Sequence, residues 1–510
     1  MVAGTVALRV DPGADSARSP VLHGAISVAL WTVASGIVVG WLLLAAVHAR
    51  DEYRVSHVQG VWIATAEAAR GGVLYPPLFD GEHYAGTRYM PLPILLNAGA
   101  AAAAGDPLIG GKMIAAILMA MLLAITIIAL KHSSCPSSLA FGLAAAVVAT
   151  DTGLQAGTTI GGDLLPVVLQ TGALALAARG GRSRQFIVAG VLAGLAFASK
   201  LSGVWGALAV ITWLAMNHRW RLAATFAVVA GASAAVTLGA VQLITHGGLA
   251  EHLLAFTFAG VHTGATLVRG PNQLLYNLLG HATAGVVLFP LAAVGVFLAG
   301  RSRELSVFQI ALMYALLVLT VVFADVGTGF NQLLDLVVLV VLAVGDWIAR
   351  TTTKVSVAAP LVTLVVAVCV VWTDGLDLVR TIGFDVRGAL AAHDMPTASA
   401  TLAVSHIVKP GDEVLAEDPS VYVPLHRQPV VMDPFMLLRL DRQHPDWVDP
   451  LIRRINDRRF ALVVLVVPLE NRTLDFWWND FQFGPRVAAA LRASYRADGT
   501  VGPYFLYRPR

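Results

Sequence analysis

Acidic and basic side chains recur in this sequence at the ends of its apolar stretches, and most of them fall on one side of the pattern. Asp51 and Glu52 are adjacent and follow directly on the first apolar run. Arg88 and Tyr89 lead into the proline-rich "MPLPILLN". Asp151 and Asp163 flank "DTGLQAGTTIGGD", Lys200 stands in "ASKLSG" between two apolar runs, and Asp325 precedes "GTGFNQLLD". Carboxylates can take protons or hold cations, and Arg and Lys can hold an anion. Ionisable groups at or within a bilayer are costly, so several of them meeting on one membrane face read as a site. The competing reading of each is a charge that snorkels cheaply at a span end, and that reading is preferred for Lys112.

The elements that must position these groups follow from composition. Of the 510 residues, 57% are hydrophobic and 13% charged, against about 25% charged in an ordinary soluble domain; mean hydropathy is +0.71. A soluble enzyme of this length could not cover its surface, and a disordered chain would leave too much apolar area in water. The expectation is a polytopic α-helical membrane protein. A formal charge of +3 gives no case for a nucleic-acid partner. Cys135 and Cys369 lie in different membrane-associated segments, so neither a disulfide framework nor a Cys-based zinc site is expected. Five of the 35 basic residues are Lys, an arginine bias that points to a GC-rich bacterial genome.

Apolar stretches near 21–48, 108–130, 137–150, 162–178, 185–199, 201–217, 222–245, 274–300, 305–324, 330–349 and 355–373 predict about eleven spans. The first has no cleavable signal pattern before it and reads as a retained anchor. Arg- and Lys-bearing short connections should face the cytoplasm. They alternate correctly only if "PLPILLNAGAAAAAG" (91–105) does not cross but forms a short helix in an exterior loop, 49–107. Within that loop, Val55, Val58, Trp62, Ala66 and Ala69 have helical spacing and Gly71 stops the run, which predicts an amphipathic interfacial helix. The N-terminus is then cytoplasmic and the C-terminus exterior. From about 380 charge density becomes ordinary and short β-branched runs alternate with helical pattern, so residues 380–510 are expected to form an exterior, periplasmic α/β domain behind a membrane domain at 1–379.

The order of motifs resembles the GT-C class of integral membrane glycosyltransferases, specifically the protein O-mannosyltransferase and aminoarabinose transferase-like family. The likeness rests on a "DE" pair after the first span, an amphipathic helix with "G-x-LY", "RYMPLP", "AGDPL", "GDLL", "ASKLSG", "GTGFNQLLDLVVL" and the C-terminal "AEDPSVYVPLHRQPVVMDP". It implies a sugar donor on a polyprenyl phosphate at the outer leaflet of a bacterial inner membrane. The implied reaction is a single inverting displacement onto a hydroxyl of a lipid, glycan or protein acceptor. A carboxylate must take the acceptor's proton. Asp51 matches the family's general base, with Glu52 as the second candidate or a structural partner of an Arg such as Arg54. Cations must neutralise the leaving phosphate; Arg88 fits the family position, Tyr89 could add a hydroxyl donor, and Lys200 is a further candidate. Some members of the class use a divalent metal held by exterior carboxylates. Asp163 with Asp151 could supply one, but their spacing is not a ligand signature, and a helix cap is the favoured role for Asp163.

The histidines 246, 252 and 262 are too loosely spaced for zinc and read as a solvated loop. The cluster Phe476, Trp477, Trp478, Phe481 and Phe483 could stack acceptor sugars or dock on lipid, with core packing as the plainer alternative. No D-x-D, Walker A or H-E-x-x-H occurs. The rival to an enzyme is a secondary transporter or lipid-linked-sugar flippase, which would place its charges and cavity at the bilayer centre. Sugar, acceptor and lipid length are not legible.

Overall fold

The computed structural model describes residues 12–50, 57–181, 183–257, 263–325, 327–352 and 397–510. Asp51, Glu52, Arg54, Val55, His262, the apolar stretch 355–373 and the expected domain boundary near 380 lie outside the described residues. The chain is mainly helical and ends in a small sheet.

Ten of the expected apolar stretches coincide with helices: α1 (Pro12–Arg50), α4 (Pro107–His132), α5 (Ser137–Ala149), α7 (Leu164–Ala178), α8 (Ser183–Ser199), α9 (Trp205–Met216), α10 (Trp220–Ile244), α13 (Thr283–Ser302), α14 (Val307–Val322) and α15 (Leu334–Thr352). By length and composition, five described segments are long and apolar enough to cross a bilayer: 24–49, 107–132, 220–244, 285–302 and 330–351. The stretch 330–351 is predominantly apolar and is enclosed by the others, whereas few residues of α10 are fully buried. The stretch expected at 274–300 is divided at Ala282, because α12 (Thr263–His281) is a separate amphipathic helix. Residues 151–158, expected as loop, form helix α6 (Asp151–Thr158), bent by 76° from α5 at Thr150, whose hydroxyl accepts from the Gly153 amide at 3.1 Å.

The loop before α4 holds the expected amphipathic helix α2 (His57–Arg70) and the short helix α3 (Pro91–Ala104). The Gly-Asp break between α3 and α4 works as its residues require. Gly105 closes α3 in the left-handed region at φ +73°, Asp106 accepts from the amides of Leu108 (2.7 Å) and Ile109 (2.9 Å), and Pro107 takes the first turn. Lys112 does not snorkel. It is 4% exposed and donates to the His48 carbonyl at 2.7 Å, tying α4 to the end of α1 just before Asp51.

The C-terminal unit carries a four-stranded sheet in the order β1-β2-β4-β3, with β1 (Glu413–Ala416) parallel to β2 (Phe460–Leu465), and β4 (Tyr504–Pro509) antiparallel to β2 and to β3 (Tyr495–Val501). Helices Pro434–Gln443 and Pro445–Asn456 form the β1–β2 crossover. The unit is clipped to the first loop: the Tyr84 amide donates to the Val430 carbonyl and the Met432 amide to the Tyr84 carbonyl, both at 2.8 Å. It also packs against α2 so closely that a Cβ at Gly60 would lie 1.9 Å from Asp418 Oδ1.

Candidate functional site

Beneath the C-terminal unit lies a cavity of about 1110 Å³. Its walls are mostly apolar, with α2, α3, α4 and α14 contributing side chains such as Trp62, Pro93, Leu118 and Val321. Arg88, Tyr89, Asp163 and Lys200, which the sequence places in three separate connections, line this one space. Asp151 is not among its lining residues; it sits at the start of α6 and faces His281 Nδ1 at 3.4 Å.

The segment carrying Arg88 is held on several sides. The Tyr75 hydroxyl donates to the Tyr89 carbonyl at 2.6 Å, and Tyr89 stacks on Trp62 at 4.1 Å. His252, expected in solvent, is fully buried on α11 (Gly248–Phe256). Its Nε2–H donates to the Pro76 carbonyl (2.7 Å) and its Nδ1 accepts the Thr87 amide (3.3 Å). A carbonyl can only accept, so these partners fix the neutral tautomer, and burial lowers the ring's pKa.

Arg88 donates to Asp325 Oδ2 at 2.6 Å and to the Gly327 carbonyl at 3.0 Å. Arg439, from helix Pro434–Gln443, takes the other oxygen of Asp325 at 2.6 Å, and both guanidinium groups lie over the Phe435 ring, at 5.4 and 4.8 Å. Burial raises the Asp325 pKa, but Arg88 and Arg439 outweigh it and hold the carboxyl below the usual range. One carboxylate between two guanidinium groups leaves one guanidinium charge unmatched within the trio.

The second cluster joins the motifs "GDLL", "ASKLSG" and "GTGFNQLLD". Asp163 accepts from Lys200 Nζ at 2.8 Å, from Asn331 at 2.6 Å and from Gln332 at 3.3 Å. Lys200 also lies 3.9 Å from Asp335, which accepts from Trp205 Nε1 at 3.0 Å. The expected helix cap is not what Asp163 does: it occupies the position before α7, yet its side chain makes no cap hydrogen bond and turns to Lys200 instead.

These donors do not fit a divalent metal. Both oxygens of Asp163 face N–H groups, an ammonium stands where a cation would bind, and among the described residues no group of three His, Cys, Asp or Glu side chains could hold an ion. Asp51 and Glu52 are not part of that comparison.

Sequence reasoning missed Arg439 and Asp433, left Asp325 without a partner, and misread His252 as solvated. Arg439, on a helix of the C-terminal unit, gave no local signal. Asp433 lines the cavity roof and accepts from the amides of Phe435 (3.0 Å) and Met436 (3.4 Å); burial lifts its pKa to about 6 against the pull of Arg88. Its Asp-Pro pair signals a helix start, not a site. The aromatic cluster divides: Trp478 and Phe483 are core, while Trp477 and Phe481 line the cavity.

Glu417 accepts from Trp477 Nε1 (2.6 Å) and the Val466 amide (2.8 Å), and burial pushes its pKa up to about 7. The folded state therefore keeps a proton that the unfolded chain has lost. Stability from this group is complete below the ordinary Glu value and is lost as pH rises through about 7. Melting of the protein in nanodiscs should show Glu417→Gln gaining relative to wild type between pH 5 and pH 8, by on the order of 3 kcal/mol. Parallel pH curves would refute this.

An apolar helical bundle, a first loop with an amphipathic and a short helix, and a small α/β unit roofing the cavity between them make a fold shared with solved glycosyltransferases of the GT-C class, the fold that the motif order implied. Several solved structures share it. ArnT from Cupriavidus metallidurans bound to undecaprenyl phosphate is 12% identical and superposes with a TM-score of 0.60 over 94% of this chain and 97% of that one. The Archaeoglobus fulgidus oligosaccharyltransferase in complex with Zn and sulfate is 10% identical, with a TM-score of 0.55 over 92% and 73%. The archaeal enzyme AglB from the same organism, with an inhibitory peptide and a dolichol-phosphate, gives 11%, 0.52, 93% and 74%. No protein-family model and no curated protein sequence matches the chain.

Proposed function

We propose that this chain is an inverting glycosyltransferase of a bacterial inner membrane that moves a sugar from a polyprenyl-phosphate carrier to an acceptor hydroxyl at the outer face. The observation that carries the reading is the meeting of Arg88, Tyr89, Asp163 and Lys200 in one apolar-walled cavity under the C-terminal unit. Solved structures of the same fold with undecaprenyl phosphate and dolichol-phosphate support a lipid phosphate as the ligand. A cavity between the bundle's end and a roofing domain favours an enzyme over a flippase.

The charge at the two clusters divides the work. The Arg88–Asp325–Arg439 group is net positive and takes the leaving phosphate. Lys200 shares two carboxylates but carries three donors, so one N–H remains for a phosphate oxygen. Burial raises the Tyr89 pKa, so its phenol stays protonated and can donate. Asp51 is the general base, with Glu52 beside it. As the acceptor oxygen attacks the anomeric carbon, the bond to the phosphate oxygen breaks, its electron pair leaves with the carrier, and the acceptor's proton passes to Asp51.

Asp51→Asn should fold normally and lose transfer from a radiolabelled polyprenyl-phosphate sugar by about 10³-fold. Full activity would refute its role as base. Mass spectrometry of envelope glycans and lipids with and without the gene would identify the product.

A further inference from the structure

The roof of the cavity differs from its walls. The cations belong to the helical part, apart from Arg439, which faces Asp325. Away from Phe435, which carries the two guanidinium groups, the roof offers a carboxylate and two further aromatic rings: Asp433, Trp477 and Phe481.

These three are built into a fixed arrangement. Asp433 Oδ1 takes both amides of the helix start, and among the described residues no donor reaches Oδ2. Residues Trp477–Phe481 form one π-helical turn, a wide turn frequent at functional sites. Their two cavity-lining rings have centroids 6.2 Å apart. Trp477 is locked by its indole N–H on Glu417 at 2.6 Å, so what it offers the cavity is aromatic surface and not that donor. The Phe483 amide donates to the Pro434 carbonyl at 3.1 Å, which joins the turn to the helix that Asp433 caps.

Resting on the transferase reading above, we infer that Asp433, Trp477 and Phe481 form the acceptor subsite, and that the acceptor is a carbohydrate. An ionised carboxylate only accepts, so it selects hydroxyl donors. A rigid aromatic face takes the C–H side of a sugar ring, the pairing of broad apolar contact with few placed polar groups that small-molecule sites use. A polyprenyl tail has no donor and would desolvate Asp433 without compensation.

The test uses the full chain in nanodiscs, with Trp fluorescence and calorimetry. The probes are neutral trisaccharides (manno-, malto- and arabinotriose), a Ser/Thr-containing hexapeptide, and farnesyl phosphate for the cation end. At least one trisaccharide should bind wild type, and Trp477→Leu, Phe481→Leu and Asp433→Asn should each weaken it at least tenfold. Asn retains the helix cap, so Asp433→Asn keeps the fold. Farnesyl phosphate should stay within twofold in the two aromatic variants. The subsite is overturned if no trisaccharide binds, if the variants bind as wild type, or if the hexapeptide binds there instead. Failure of farnesyl phosphate to bind wild type would overturn the transferase reading, independently of the trisaccharide result.

Discussion

Asp325→Asn is expected to loosen the C-terminal unit from the helical bundle and to lower the melting temperature more than any other single polar change at the site. The carboxylate receives two guanidinium groups at 2.6 Å each, from residues far apart in the chain, and Arg439 is 3% exposed. Removing one partner of a buried ion pair leaves an uncompensated charge and costs about 3–5 kcal/mol. Here two cations beside Phe435 would be left without the carboxylate between them. Limited proteolysis and thermal melting in nanodiscs would read the effect. Combining Asp325→Asn with Arg439→Leu removes one charge of each sign, preserves the net charge beside Arg88, and should recover most of the loss. If the single variant melts like wild type, the two arginines do not depend on Asp325.

Lys200→Met is expected to be the most damaging change to transfer among the described cavity residues. Its ammonium stands 2.8 Å from Asp163 and 3.9 Å from Asp335, which is 2% exposed. Without it, Asp163 stands on the cavity wall with no cation beside it and would repel the donor phosphate. Loss of one preorganised donor at a developing charge costs about 10²–10³ in rate, and the added repulsion should also raise the KM for the polyprenyl-phosphate sugar. Lys200→Arg should not rescue, because a planar fork does not replace a point charge in a slot shaped by Asp163, Asn331 and Gln332. Steady-state kinetics against donor concentration would separate the two contributions. An unchanged kcat and KM would remove Lys200 from the site.

Much of the architecture was legible because it depends on local chemistry. Apolar length gives the helices, Gly105-Asp106-Pro107 gives the α3–α4 corner, and the spacing of Val58, Trp62, Ala66 and Ala69 gives α2. The break at Ala282 was missed because amphipathic α12 runs directly into apolar α13, and hydropathy alone averages the two. At the site, Arg88, Tyr89, Asp163 and Lys200 could be named from charges that are expensive at a membrane boundary. Their partners could not. Asp325 meets Arg439 across 114 residues, and His252 meets Thr87 across 165, separations that no local periodicity encodes. Asp163 and Lys112 illustrate the converse error: each occupies a position where a cap or a snorkelling charge is the common outcome, and each is drawn inward by a distant partner.

Apart from Arg439, the cavity's cations and its aromatic roof come from different parts of the polypeptide, joined through Asp325, Tyr84 and the tight seat at Gly60. Under the proposed transfer reaction, delivery and reception are therefore separable by inheritance, provided a new roof keeps the Arg439 contact with Asp325. A lineage could exchange the roof for another that keeps the same three attachment points, and so redirect where the carried group ends up while leaving untouched the machinery that grips its oily courier.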